Sequence, residues 1–95
     1  MGYKIQEKKI KIALIGCGRI AERHLDAIKF HKESIDLVAI CDLDNNRLDY
    51  VNSFIHKNIN ENHRVRKFNL YEDLILDIKN KELELDLIIL LLFYF

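Results

Sequence analysis

The sequence predicts an α/β fold, a doubly wound parallel sheet of about four strands with three helices. Short apolar runs rich in branched residues alternate three times with segments of helical period, which is typical of parallel strands joined by helices. Two of the runs are almost wholly apolar, as expected where helices cover both faces of the sheet. At 95 residues the chain has the size of one small domain.

The first two strands and the helix between them are the clearest predicted elements. Lys9–Ile15 alternates and then becomes wholly apolar, as expected of a strand that enters a covered sheet. From Arg19 to about His31, apolar residues recur at three- and four-residue intervals, which predicts an amphipathic helix. Ser34–Cys41 is too short and too rich in branched residues for a helix, so we expect a second strand that ends at Asp42.

The chain after Asp42 predicts a second helix and a short third strand. Asp44 or Asn45 can cap the helix, which is expected to run to about Lys57. An asparagine-rich loop follows, and the third strand is expected near Val65–Phe68. The residues that the second helix is expected to bury are Leu48, Val51, Phe54 and Ile55.

A third helix and a fourth strand complete the pattern. The helix follows Asn69 and is expected to run to about Lys81, and Leu87–Phe95 is expected to be the strand. The strand order in such a sheet is 3-2-1-4, which leaves one edge of the fourth strand without a partner. No charge follows Asp86, so this apolar edge predicts self-association of the chain. The apolar residues on one side of the predicted third helix are Leu70, Leu74, Ile75 and Ile78.

Two of the three glycines, Gly16 and Gly18, stand one residue apart where the first strand ends. With Ala21 they fit G-x-G-x-x-G/A after a strand and at the start of a helix, which predicts a Rossmann-like dinucleotide site. Gly16 permits a tight turn, Gly18 lets a pyrophosphate approach the backbone, and Ala21 lets the helix pack closely. The free N–H groups of the helix attract the pyrophosphate. A tight turn without a ligand is the alternative interpretation.

Asp42 stands at the end of the second strand. An acid that binds the ribose is expected about 20 residues past the glycines, and Asp42 is close to that position. A carboxylate there accepts hydrogen bonds from the ribose hydroxyls of an adenosine. Leu43 follows, where an NADP site often offers an arginine or another polar residue. The sequence therefore predicts NAD as the cofactor in preference to NADP. A cap of the turn or helix that follows is the alternative role for Asp42.

Four segments carry a resemblance to a known family: IALIGCGRIAERHLDAI, LVAICDLDNNRLDYV, LYEDLI and LDLIILL. They are similar to the N-terminal domain of the Gfo/Idh/MocA family of NAD(P)-dependent oxidoreductases, many of which act on sugars, nucleotide sugars or inositols. The resemblance implies that Arg19 and Ile20 lie against the pyrophosphate and the nicotinamide side of the site, and Arg47 near the adenine. The alternatives are a solvated charge for each arginine and core packing for Ile20.

Family members continue into motifs that this sequence does not contain. They carry a Glu-Lys-Pro segment, whose lysine is tied to catalysis, and a second domain that holds the substrate, whereas this sequence has no proline. We therefore expect residues 1–95 to be a single dinucleotide-binding domain, incomplete at its C-terminus and without catalytic residues. The parent would transfer a hydride between NAD and a sugar or nucleotide-sugar type alcohol. The alternatives are a stand-alone nucleotide-binding or redox-sensing module and a methyltransferase-like domain.

Composition argues against several other classes of protein. The 15 basic and 15 acidic residues cancel, so the charge pattern expected of a nucleic-acid binder is missing. Leu87–Phe95 is shorter than the about 20 residues of a membrane-spanning helix. Cys17 and Cys41 lack Cys-x-x-Cys spacing, and the N-terminus lacks a secretory apolar region, which favours reduced thiols in the cytoplasm. Together with His24 and His31 they match no zinc site, so no metal site is predicted.

Overall fold

The computed structural model describes residues 8–18 and 21–91, and this part of the chain alternates strands and helices as predicted. The elements are β1 (Ile10–Ile15), α1 (Ala21–Phe30), β2 (Ile35–Cys41), α2 (Asn45–Asn58), β3 (Arg66–Phe68), α3 (Tyr71–Lys79) and β4 (Leu87–Leu90).

The four strands form one sheet in the order β3-β2-β1-β4, and every neighbouring pair is parallel. The predicted α/β class and strand order are therefore confirmed. In the register of the sheet, Ala13 of β1 lies between Ala39 of β2 and Ile88 of β4. Because the strands are parallel, the segments that follow them all emerge at one edge, which we call the carboxyl edge.

The core has two halves, one on each face of the sheet. Leu14 of β1 packs with α1 and α2, whereas the preceding residue, Ala13, packs with α3 on the opposite face. This alternation follows from the two-residue period of a strand. The first half includes Leu14, Leu25, Leu48, Val51 and Ile55. The second half includes Ala13, Ala39, Phe68 and Leu74.

The ends of α2 and α3 refine the sequence prediction. Asp44 is the N-cap of α2, since its side chain accepts a hydrogen bond from the Asn46 N–H at 2.9 Å. Phe54 is only half-buried on α2. Leu70, expected on the buried side of the third helix, is instead 49% exposed and precedes α3. The chain leaves the helix before Lys81, which has a left-handed φ of 61°.

The strand β4 is shorter than the predicted Leu87–Phe95. It ends at Leu90, and the Leu91 N–H still donates to the Ile15 carbonyl at 2.9 Å. Residues 92–95 of the predicted strand lie outside the described residues. Within the described part, β4 pairs with β1 alone. None of the helices described there has the length and hydrophobicity required to cross a bilayer.

Candidate functional site

The residues at the carboxyl edge come from the ends of all four strands. Gly16 follows β1, Asp42 follows β2, Asn69 follows β3 and Leu91 follows β4. In open α/β sheets this edge is where ligands bind. The fold therefore brings the glycine turn, defined as Gly16–Gly18, next to the acid that sequence reasoning singled out.

Gly16 is required by the fold itself. Its φ of +91° lies in the region that side chains rarely adopt, and its N–H donates to the Cys41 carbonyl at 2.8 Å. A Cβ on Gly16 would lie 2.7 Å from the Leu91 carbonyl oxygen. The tight turn between β1 and α1 is thus wedged between the ends of β2 and β4, with no space for any side chain.

The start of α1 lies close to the sheet. The Ala21 N–H donates to the Gly18 carbonyl at 2.9 Å, and Ala21 is buried. Gly18 is only partly covered. Arg19 and Ile20 lie outside the described residues, so their contacts with the pyrophosphate and the nicotinamide side remain predictions.

Asp42 lies against the glycine turn and is bonded to it. Its Oδ2 accepts from the Cys17 N–H at 2.7 Å, and its Oδ1 accepts from the Asp44 N–H at 2.8 Å. The side chain is 9% exposed. An ionised carboxylate offers about four acceptor positions, so Asp42 can close this turn and still accept hydrogen bonds from ribose hydroxyls.

Arg47, in the first turn of α2, separates two clefts at the carboxyl edge. Its Nη1 lies 4.0 Å from Asp42 Oδ2, and its Nε lies 3.9 Å from Asp44 Oδ2. On one side is a cleft of about 620 Å³, whose lining includes Gly16, Asp42, Leu43, Leu70 and Tyr71. On the other side is a cleft of about 250 Å³, lined by Cys17, Gly18, Glu22, Asn46, Arg47 and Tyr50.

Asn69 is a site-edge residue that sequence reasoning did not assign to the site. Its Nδ2 donates to the Asp42 carbonyl at 3.1 Å and to Asn45 Oδ1 at 2.6 Å. It thereby ties the end of β3 to the end of β2. The signal was present in the sequence, because Asn69 directly follows the third predicted strand and must therefore lie at the carboxyl edge.

The two thiols beside the site are buried and free. Burial, reinforced by the negative charge of Asp42, raises the pKa of the Cys17 thiol to about 12. Burial also raises the pKa of Cys41, again with Asp42 as the next cause. The two side chains pack into opposite halves of the core. Neither thiol has the depressed pKa of a reactive cysteine.

Comparison with protein families identifies the kind of domain. The model of GFO_IDH_MocA, the oxidoreductase family with an NAD-binding Rossmann fold, matches residues 10–92. The chain belongs to the Gfo/Idh/MocA family. The match confirms the resemblance seen in the sequence and assigns the domain as NAD-binding, in agreement with the predicted cofactor.

Solved structures of Gfo/Idh/MocA-like dehydrogenases have the same fold. The WlbA dehydrogenase from Chromobacterium violaceum, in complex with NADH and UDP-GlcNAcA, has 27% identity and a TM-score of 0.68 over 93% of this chain. The WlbA dehydrogenase from Bordetella pertussis, with the same two ligands, has 27% identity and a TM-score of 0.67 over 90%. Myo-inositol 2-dehydrogenase from Lactobacillus plantarum has 29% identity and a TM-score of 0.60 over 90%.

This chain spans 22% of the length of each of those three dehydrogenases. No curated protein matches it.

Proposed function

We propose that this chain binds NAD(H) across its carboxyl edge, with the diphosphate over Gly18 and the start of α1 and the adenosine ribose at Asp42. One observation carries the proposal: the Cys17 N–H between the two glycines donates to Asp42 Oδ2 at 2.7 Å. The two groups that recognise the diphosphate and the ribose in Rossmann folds are thus adjacent, within the reach of one ligand.

The remaining proposed contacts lie around this pair. Gly16 shapes the turn, Ala21 opens the helix whose N-terminus faces the diphosphate, and Arg19 and Ile20 extend the contact along the pyrophosphate toward the nicotinamide. The adenine occupies the cleft of about 620 Å³, which has the exposed side chains of Leu43 and Tyr71 on its wall. Apolar walls with few polar groups suit a purine ring.

The choice of NAD over NADP follows from charge. The Asp42 carboxylate sits where the ribose hydroxyls are expected, and it would repel a 2′-phosphate. Arg47 is the nearby cation, but its Nη1 and Nε already face the carboxylates of Asp42 and Asp44 at 4.0 and 3.9 Å. Its charge is therefore partly offset before any phosphate arrives.

For a protein that contains this domain we propose hydride transfer between NAD and a sugar or nucleotide-sugar type alcohol. The support is the class of the similar structures, two dehydrogenases in complex with NADH and UDP-GlcNAcA and a myo-inositol 2-dehydrogenase. Hydride transfer requires a held substrate and a proton donor or acceptor. We assign neither role to a side chain in the described part of this chain.

Two further proposals concern the setting of the protein. The free thiols of Cys17 and Cys41 support a reducing, cytoplasmic location. The β4 edge that pairs with no described strand supports self-association through a second copy of the chain.

A titration with NADH and, separately, with S-adenosylmethionine tests the proposed function. We expect saturable NADH binding, detected by nicotinamide fluorescence, and no binding of S-adenosylmethionine. AMP competes for the adenosine half and is expected to displace NADH. Binding of S-adenosylmethionine with no response to NADH would instead favour the methyltransferase-like alternative.

A further inference from the structure

We propose that Asp42 is a positioning residue for the glycine turn, which it holds in its ligand-ready shape before any cofactor arrives. This inference rests on the proposed NAD(H) site but assigns Asp42 a task separate from ribose recognition. The contact responsible is the hydrogen bond from the Cys17 N–H to Asp42 Oδ2 at 2.7 Å.

The glycine turn requires such an anchor because of its composition. Gly16 and Gly18 flank Cys17, and glycine has the largest backbone freedom of any residue. A turn with two glycines in three positions would therefore sample many shapes if only its ends were held. The hydrogen bond from the Cys17 N–H to Asp42 fixes the middle of the turn.

The bond is of a strong type and is sheltered. Its acceptor is an ionised carboxylate, and charge-assisted hydrogen bonds are shorter and roughly twice as strong as neutral ones. The Asp42 side chain is 9% exposed and Cys17 is buried, so water competes weakly for either partner.

Asp42 is itself held from three other directions. Its Oδ1 accepts from the Asp44 N–H at 2.8 Å, which fixes the orientation of the carboxylate. Its own N–H donates to the Phe68 carbonyl at 3.0 Å, and its carbonyl accepts from Asn69 Nδ2 at 3.1 Å. The anchor is therefore rigid, and it joins the glycine turn to the start of α2 and the end of β3.

The charge of Asp42 makes the proposal testable by the direction in which diphosphate affinity changes when the carboxylate is removed. A carboxylate beside a diphosphate site repels the ligand, so its removal should strengthen diphosphate binding if Asp42 acts on the ligand through charge alone. If Asp42 holds the turn, its removal should weaken diphosphate binding even when the ligand has no ribose hydroxyls. The two roles thus predict opposite changes.

The experiment compares wild type with Asp42→Ala and Asp42→Asn, using NADH and 2′,3′-dideoxyadenosine 5′-diphosphate as probes. The second probe keeps the diphosphate but lacks the hydroxyls. Amide hydrogen exchange of Cys17, followed by NMR without ligand, is the second measurement. Asp26→Ala is the matched control, because it removes one carboxylate from an exposed position on α1.

We expect Asp42→Ala to weaken binding of the dideoxy probe at least about fivefold and to accelerate Cys17 exchange at least about tenfold, from loss of a charged hydrogen bond. Asp42→Asn should fall between, because its one carbonyl oxygen can replace only one of the two acceptor oxygens. If Asp42→Ala fails to fold, the Asp42→Asn variant provides the test. Asp26→Ala should match wild type in both measurements.

Unchanged or tighter binding of the dideoxy probe by the Asp42 variants would overturn the positioning role, as would an unchanged Cys17 exchange rate. A wild-type chain that binds neither probe would instead overturn the proposed NAD(H) function. Cys17 exchange, measured without ligand, would then decide on its own whether Asp42 holds the turn.

Discussion

At the scale of single residues, the two glycines of the turn are required for different reasons. Gly16 has a left-handed φ and no room for a Cβ beside the Leu91 carbonyl, so the fold demands it. Gly18 is partly open at the start of α1, so the proposed ligand demands it. A substitution at the first position should therefore lower stability, whereas one at the second should lower affinity.

Gly18→Val should reduce NADH affinity at least about tenfold, or about 1.4 kcal/mol, because a branched side chain occupies the space of the diphosphate. Fluorescence titration measures the loss, and circular dichroism checks that the fold persists. Gly16→Ala is the contrasting variant, with a lower urea midpoint expected. Wild-type affinity in a folded Gly18→Val chain would contradict the diphosphate contact.

Asp42→Ala should weaken NAD more than NADP. Both cofactors lose the positioned turn, but only NAD loses hydrogen bonds to both ribose hydroxyls, and NADP gains relief from charge repulsion with its 2′-phosphate. The ratio of the two dissociation constants, from parallel titrations, is the measurement. An equal loss for both cofactors would leave Asp42 without a part in cofactor choice.

The Cys17 thiol should make stability fall at high pH. Its pKa rises from 9.0 unfolded to about 12 folded, so ionisation favours the unfolded chain. The contribution is fully present below pH 9 and is lost as the pH rises toward 12, with a decrease of about 1 kcal/mol by pH 10. Urea unfolding of wild type and of Cys17→Ala at pH 9 and at pH 10 isolates this decrease. The same pH dependence of stability in the two proteins would refute it.

At the scale of elements, α2 depends on its cap. Asp44 accepts from the Asn46 N–H, and Asp44 itself is oriented by the Asp42 carboxylate at its own N–H. The helix then buries Leu48, Val51 and Ile55 against β1 and β2. A local cap thus fixes where the amphipathic stripe begins, and with it the placement of Arg47 at the site.

Asp44→Ala should lower the free energy of unfolding by about 1 kcal/mol, the usual cost of losing an N-cap. Chemical denaturation measures the change. Asp49→Ala is the control on the same helix, since its carboxylate is exposed and only 3.8 Å from Lys67 Nζ in a surface pair, and such pairs contribute little. A smaller effect at Asp44 than at Asp49 would show that the cap is dispensable.

At the scale of the whole molecule, the sheet is asymmetric. The strand β1 is paired on both sides, whereas β4 pairs with no other described strand than β1 and has Leu87 and Leu90 more than half exposed. An apolar edge of this kind offers free N–H and C=O groups to another strand. This edge, which pairs with no further strand among the described residues, is a property of the assembled sheet, which no single element determines.

Leu90→Lys should therefore reduce self-association of the chain. Leu90 is 56% exposed, so a lysine there can reach water without disturbing the core, and charge on an edge strand opposes strand pairing. Sedimentation velocity at tens of micromolar compares the variant with wild type. Leu76→Lys, also at an exposed leucine but on α3, is the control. A monomeric wild-type chain would contradict the self-association proposal.

The sequence by itself determined the kinds of element, their order, and that the glycine turn and Asp42 lie at the carboxyl edge. Hydrophobic period records burial, and alternating strands and helices permit few topologies, so the strand order β3-β2-β1-β4 and the location of Gly16 and Asp42 at the same edge of the sheet could be predicted. The tertiary structure alone decided the contacts between them. Asp42 bonds Cys17, Leu91 closes over Gly16 and Asn69 ties β3 to β2, because these contacts depend on ångström-scale distances between distant segments, which local periodicity does not encode.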